Sequence, residues 1–149
     1  MGLESKIILA LKGAMKNKDQ VALTTLRAIK SEIILQKTQK TQKTQFSNED
    51  EMKLLQKMVK QRKDSAIIYK NQNRNDLAEI ELKEAKFIQN FLPKPLSESE
   101  LKESISLIID EKNASGMKDM GMVMRIATKK FIGKADGKII SKIVRELLS

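Results

Sequence analysis

Residues 117–148 read MKDMGMVMRIATKKFIGKADGKIISKIVRELL, and this stretch decides the fold. Apolar residues recur at three- and four-residue intervals on both sides of residues 129–138, as in two amphipathic helices. Gly133 and Gly137 separate the two apolar stripes, and lysines surround them. The pattern therefore predicts helices over about residues 119–131 and 136–148, joined by a short hinge.

The rest of the chain has the same helical period. One apolar stripe contains Ala22, Leu26, Ile29 and Ile33, and another steps by four through Leu3, Ile7, Leu11 and Met15. Polar residues that suit the first position of a helix precede four of the predicted helices: Asp19, Ser47, Asp76 and Ser97. No segment alternates with the two-residue period of a strand. The sequence therefore predicts an all-α protein with an N-terminal four-helix arrangement and a C-terminal three-helix bundle.

Two features divide the chain. Pro93 and Pro95 are its only prolines, and a pair so closely spaced stops a helix and favours an extended linker. We therefore predict an N-terminal helical domain over residues 1–92 and a C-terminal helical bundle over 93–149. Residues 37–45 are three copies of Lys-Thr-Gln with no apolar side chain. We predict a mobile loop or a frayed helix end. A solvated insertion is the favoured interpretation, and contact of its lysines with RNA is the alternative.

The charge of the chain points to an anionic partner. Lys and Arg number 29 against 19 Asp and Glu, which gives a formal net charge of +10. A surplus of this size attracts phosphate, although it also serves solubility. Aromatic residues make up only 3% of the chain, so stacking platforms for single-stranded nucleic acid are not expected.

Catalytic chemistry has few candidate residues. The chain has no His and no Cys, and no serine lies in a recognisable base constellation. We predict no catalytic residues, no metal site and no cofactor, and we expect no independent catalysis. A mechanism that uses only carboxylates or lysines stays open from the sequence. No apolar run approaches the length of a membrane span, and the first residues do not resemble a signal peptide. A cytoplasmic protein without membrane contact is therefore expected.

The hinge over residues 129–138 is the best candidate binding site. Glycine lets a backbone approach a ligand closely, and the start of the following helix favours phosphate. Lysines add positive charge around it. The alternative interpretation is a simple helix–helix turn in which Asp136 caps the second helix and the lysines are solvated. The pattern of residues does not decide between a binding site and a simple turn. The candidate nucleic-acid-binding residues are Lys129, Lys130, Gly133, Lys134, Gly137 and Lys138.

Four methionines precede the hinge. Helical spacing places Met120 and Met124 on one face, with Met117 close by and Met122 elsewhere. Methionine suits adaptable recognition surfaces, but core filling is the favoured interpretation.

Lys60 and Asp64 lie four residues apart on a predicted helix, a spacing that indicates a surface ion pair. With Arg62 and Lys63 they also suggest a basic stripe, against which a solvated helix face is slightly favoured.

Several motifs together resemble one family. They are Lys60–Ser65, Phe91–Pro93 followed by Leu96–Glu100, Asp119–Met124 and Gly133–Gly137. In this order they are similar to the YqeY-like proteins of the GatB/YqeY family, over nearly the whole chain. The Lys-Thr-Gln repeat departs from the family pattern.

The resemblance implies a role connected with tRNA. The family has two helical bundles, and its C-terminal bundle is similar to the tail of the B subunit of the glutamine-dependent tRNA amidotransferase. A label of carbon–nitrogen ligase type would follow from that likeness, but this chain lacks the kinase-like core and the amidase subunit of the enzyme. We therefore expect a tRNA-binding or amidotransferase-associated module, with an aminoacyl-tRNA synthetase or amidotransferase as a further partner. The alternative is a protein–protein adaptor without RNA contact.

Overall fold

The computed structural model describes residues 2–39 and 46–149, whose regular structure is helical, without any strand. The predicted all-α class is confirmed. None of these helices is both long and apolar enough to cross a bilayer. The helices are α1 (Leu3–Asn17), α2 (Gln20–Gln39), α3 (Asn48–Asn71), α4 (Asn75–Gln89), α5 (Glu98–Glu111), a 3-10 turn (Met117–Asp119), α6 (Met120–Lys130) and α7 (Gly137–Leu148).

Met1–Leu92 form one compact unit that contains α1 to α4. Helix α2 packs against α1, α3 and α4, and α3 packs most extensively against α4. All four residues of the predicted α2 stripe are buried. The largest fully buried side chains of this unit are Ile7, Leu26, Ile29, Ile33, Leu55 and Ile88.

The predicted stripe of α1 is only partly right. Leu3 and Ile7 are buried, but Met15 is 55% exposed and Ala14 is buried in its place. Steps of four residues turn by about 400°, so a stripe built on them drifts by about 40° per step. After three steps Met15 has rotated out of the core-facing side.

Most of the predicted helix starts are confirmed by hydrogen bonds. The Ser97 hydroxyl accepts from the Glu100 N–H at 3.2 Å, and the Asp19 carboxylate accepts from the Ala22 N–H at 3.1 Å. Ser47 and Asp50 form a reciprocal capping box at the start of α3. These bonds satisfy amide groups that a helix leaves free at its first turn.

The predicted cap at Asp76 is wrong. Helix α4 begins at Asn75, and Arg74 precedes it without a side-chain cap bond. Asp76 lies inside the first turn, where its carboxylate accepts two hydrogen bonds from the Arg74 guanidinium at 3.1 and 3.2 Å. These bonds hold the pKa of Asp76 below its usual range. The Asp76 carboxylate, which we predicted to cap the helix backbone, therefore binds the Arg74 guanidinium instead.

Pro93–Ser149 form the second compact unit, with α5, the 3-10 turn, α6 and α7. Helix α5 packs against α6 and α7, which also pack against each other. Phe131, from the hinge, is 3% exposed and belongs to the same core. The other central side chains are Leu101, Ile105, Val123, Ile140, Ile143 and Val144.

The first Lys-Thr-Gln copy forms the end of α2. The Nζ of Lys37 lies 2.6 Å from Oε2 of Glu4 in α1. The other two copies, residues 40–45, lie outside the described residues, and with them most of the predicted mobile loop.

Candidate nucleic-acid interface

The candidate site, called here the lysine hinge, is residues 129–138. Helix α6 ends at Lys130, and the turn that follows closes around the Phe131 carbonyl. That carbonyl accepts hydrogen bonds from the N–H groups of Lys134, at 2.9 Å, and Ala135, at 3.1 Å. The buried Phe131 ring anchors this turn in the core of the C-terminal unit. The hinge is therefore an ordered turn, fixed by its backbone hydrogen bonds and by the buried Phe131 ring.

The two glycines of the hinge have different surroundings. Gly133 is buried and has a φ of 80°, a left-handed conformation that favours glycine. Gly137 is exposed, begins α7, and has nothing within 4 Å of the place where a Cβ would stand. Gly133 is thus explained by the backbone of the turn, and Gly137 alone is open to close approach by a ligand.

Asp136 caps α7 as the sequence predicts. Its carboxylate accepts from the Lys138 N–H at 3.2 Å, and its carbonyl accepts from the Ile139 N–H at 3.1 Å. Two amides at the start of α7 are therefore already engaged. An anion bound here depends on lysine side chains more than on helix amides.

The four lysines of the hinge are all exposed: Lys129, Lys130, Lys134 and Lys138. The structure gives none of these side chains an ion-pair partner among the described residues. The Nζ of Lys130 lies 5.9 Å from the centre of the Phe131 ring, at the outer limit of a cation–π contact. Four positive charges are thus available to a ligand along ten residues.

Helix dipoles explain only some of these lysines. Lys129 and Lys130 lie in the last turn of α6, where the dipole favours a cation. Lys138 lies in the first turn of α7, at the positive end of the dipole, where a cation is unfavourable. Its position is therefore not explained by the stability of α7.

A second contact supports the hinge within the same unit. The N–H of Leu96, just before α5, donates to the Lys134 carbonyl at 3.1 Å. The Leu96 side chain packs on the core of this unit. The backbone beneath Lys134 is thus fixed while its side chain stays exposed.

The methionines mostly fill the core. Met120, Met122 and Met124 pack against the buried cluster of the C-terminal unit, while Met117 is 47% exposed. The prediction that Met122 faces elsewhere is wrong, because Met122 packs against the same buried cluster as Met120 and Met124. The favoured core-filling interpretation is confirmed for these three residues.

One polar cluster was not predicted. The Nε of Arg62 in α3 lies 3.1 Å from Oε2 of Glu84 in α4, and both side chains are largely buried. Arg62 also donates to the Met58 carbonyl at 3.3 Å. Burial, and to a lesser degree the neighbouring Glu84 carboxylate, raises the pKa of Glu81. The predicted ion pair between Lys60 and Asp64 is absent from this described region.

The sequence signal for this cluster was weak but present. Arg62 and Glu84 are 22 residues apart, symmetric about the turn that joins α3 to α4. In two antiparallel helices, residues at equal distances from the turn face each other. In the part of the chain that the structure describes, no group of three His, Cys, Asp or Glu side chains is arranged to hold a metal ion.

Comparison with known proteins supplies the family. The model of the Yqey-like protein family matches residues 4–148, which is nearly the whole chain. The chain belongs to the YqeY-like family. The lysine hinge and the polar cluster between α3 and α4 both lie inside the matched region.

Two relatives of the chain are fungal proteins of the same name, "Altered inheritance of mitochondria protein 41, mitochondrial". The one from Clavispora lusitaniae is 38% identical over 115 residues, which is 76% of this chain and 66% of that protein. The one from Pyrenophora tritici-repentis is 32% identical over 143 residues, which is 93% of this chain and 76% of that protein. This chain therefore spans about two thirds to three quarters of those relatives.

Proposed function

We propose that this YqeY-like protein is an accessory module that binds tRNA through the lysine hinge and has no catalysis of its own. In this proposal, Lys129, Lys130, Lys134 and Lys138 meet phosphates of the tRNA backbone, and Gly137 lets one phosphate approach closely. Such contacts read the shape of structured RNA more than its sequence.

One observation carries the proposal. Among the described residues, the side chains of the four exposed hinge lysines have no ion-pair partner, and Lys138 occupies a position that is unfavourable for a cation. A phosphate beside Lys138 offsets this conflict through its charge on the lysine side chain, since Asp136 already engages the amides at the start of α7.

Association with a tRNA amidotransferase is the second part of the proposal. It rests on the likeness of the C-terminal bundle to the tail of the amidotransferase B subunit. The cytoplasmic location stays a prediction, and the names of the two fungal relatives assign those proteins to mitochondria.

The alternative function is a protein–protein adaptor that docks on a synthetase or amidotransferase without RNA contact. Three exposed apolar side chains of the C-terminal unit favour it: Leu107, Met117 and Ile139. The other methionines of this unit are partly buried against its core, which leaves this surface small.

Titration of tRNA binding against salt separates the two functions. Fluorescence anisotropy of labelled tRNA should give a dissociation constant on the order of micromolar and a log–log salt slope of about −3. Replacing Lys130, Lys134 and Lys138 together with Ala should weaken binding and flatten the slope by roughly one unit per true contact.

A charge-matched variant provides the control. Lys94, Lys102 and Lys112 are exposed in the same unit and lie outside the hinge. Their triple replacement with Ala should change the slope by less than about one unit, since only general attraction is lost. Equal binding by the hinge variant and the wild type at every salt concentration would favour the adaptor. Circular dichroism should show both variants folded.

A further inference from the structure

Helix α3, in the N-terminal unit, has a lysine-rich face distant in sequence from the hinge. Between residues 53 and 70 it has a single acidic residue, Asp64. At 3.6 residues per turn its exposed lysines fall within an arc of about 140° on the helix circumference, and Asp64 lies inside the same arc. We call this set the α3 stripe: Lys53, Lys57, Lys60, Lys63 and Lys70.

The lysines of the α3 stripe have no ion-pair partner in the described residues. Arg62, on the same helix, differs from these lysines because its side chain points toward α4 and pairs with Glu84. The cation needed for the packing of α3 against α4 is therefore distinct from those of the stripe.

The arrangement of the stripe is unfavourable for an isolated helix. Lys53, Lys57 and Lys60 follow one another at intervals of four and three residues, where like charges repel across a helical turn. A helix face that serves only solubility commonly alternates acidic and basic residues at these intervals. An external anion removes the repulsion.

The opposite face of α3 limits the kind of anion. Leu54, Leu55, Met58 and Val59 are buried in the core of the N-terminal unit. A helix that lies in a membrane surface must insert its apolar face among the lipids. Helix α3 has already used that face, and Ile67 and Ile68 are the large apolar side chains that it leaves exposed among the described residues. Two such side chains near one end are too few to insert the helix among lipids, so the outer face offers mainly charge.

The geometry fits an elongated polyanion. Lys53 and Lys70 are separated by 17 residues, or about 26 Å of helix. A nucleic-acid duplex of this length carries on the order of fifteen phosphates. Lysines spread along one side of a helix can contact several phosphates of such a backbone without reading its bases.

We infer that the α3 stripe is a second RNA-binding surface, which contacts the phosphate backbone of a double-stranded region. The inference takes its ligand, structured RNA, from the proposed function, but it concerns another unit of the chain and other residues. The hinge and the stripe are therefore separable by mutation.

The test uses the full chain and anisotropy of labelled tRNA across a salt series. The stripe variant is K53Q/K57Q/K60Q/K63Q. At about 0.1 M salt it should bind at least about ten-fold more weakly than the wild type, with a slope lower by about two to three units. An arginine version, K53R/K57R/K60R/K63R, should bind within about two-fold of the wild type, because the charge is kept.

The matched control removes the same charge elsewhere. Lys12, Lys16, Lys30 and Lys86 are exposed on the other helices of the N-terminal unit, and their replacement with Gln should weaken binding by less than about three-fold. If the stripe variant binds like this control, the inference is overturned. Circular dichroism of all three variants establishes that they are folded.

The outcomes separate this inference from the proposed function. Weakening by the stripe variant but not by the hinge variant supports the stripe and overturns the hinge. If only the hinge variant binds tRNA more weakly, the proposed function is supported and the inference about the α3 stripe is overturned. A wild type that binds no tRNA but floats with vesicles of phosphatidylserine and phosphatidylcholine, and loses this flotation in the stripe variant, assigns the stripe to lipid and overturns the inference.

Discussion

At position 133 the backbone conformation accounts for the glycine without a ligand. Its left-handed φ of 80° and its burial predict that Gly133→Ala lowers the free energy of unfolding by about 1–2 kcal/mol. The control is Gly137→Ala, where the added methyl group meets open space, and its stability should be unchanged within about 0.5 kcal/mol. Urea unfolding followed by circular dichroism measures both. Equal losses in the two variants would contradict the assignment of Gly133 to the turn.

The burial of Glu81 predicts a pH dependence of the protein's stability. Burial raises its pKa, so the folded chain holds this proton more tightly than the unfolded chain does. The charged form therefore lowers stability at pH 7, and this loss disappears once the pH falls below the ordinary carboxyl pKa of about 4.3. Glu81→Gln should raise the melting temperature at pH 7 and leave it unchanged near pH 3.5.

Glu79→Gln is the control for that measurement. It removes the same charge from the same helix at an exposed position. Its melting temperature should follow the wild type at both pH values. A gain at pH 7 equal to that of Glu81→Gln would trace the effect to net charge instead of burial.

At the scale of an element, the cap of α7 has two opposing effects. Asp136→Ala removes the side chain that accepts from Lys138 N–H, which should cost about 1 kcal/mol of stability. The same change removes the acidic side chain of the lysine hinge, so tRNA should bind more tightly at low salt. Unfolding and anisotropy on one preparation measure both effects.

Ser97→Ala is the matched control at the start of α5. It also removes a cap bond, to the Glu100 N–H, but no charge. It should lower stability by a similar amount and leave tRNA affinity unchanged. If Asp136→Ala weakens tRNA binding instead, the carboxylate takes part in the contact and the hinge does not act as a simple cationic surface.

The elements were predictable where the signal was local. Ser97 and Asp136 mark helix starts because a cap depends on only three or four neighbouring residues. The predicted cap at Asp76 was wrong because the nearby guanidinium of Arg74 competes for the same carboxylate. The pairing of Arg62 with Glu84 depends on the register of two packed helices, and its one sequence signal is the equal distance of both residues from the turn between α3 and α4. The lysines of the hinge were evident, whereas the burial of Gly133 required the tertiary fold.

For the whole molecule, we propose that residues 1–92 and 93–149 are two domains. Each compact unit has its own buried cluster, and no residue belongs to both clusters. Limited digestion with a protease of broad specificity should cut near the exposed Lys94 and release two fragments, identified by mass spectrometry. A cut inside α5, with residues 93–97 intact, would contradict this division.

The hydrogen bond from Leu96 to Lys134 makes one proton a reporter of the hinge. An amide proton exchanges with deuterium only when its bond opens, so the exchange rate at Leu96 measures how often the Lys134 carbonyl is released. A ligand that binds the Lys134 side chain and leaves this hydrogen bond intact should slow the exchange. A ligand that changes the conformation of the turn and breaks the bond should accelerate it. A single backbone position, away from every lysine side chain, can thus distinguish a rigid binding surface from one that changes shape when occupied.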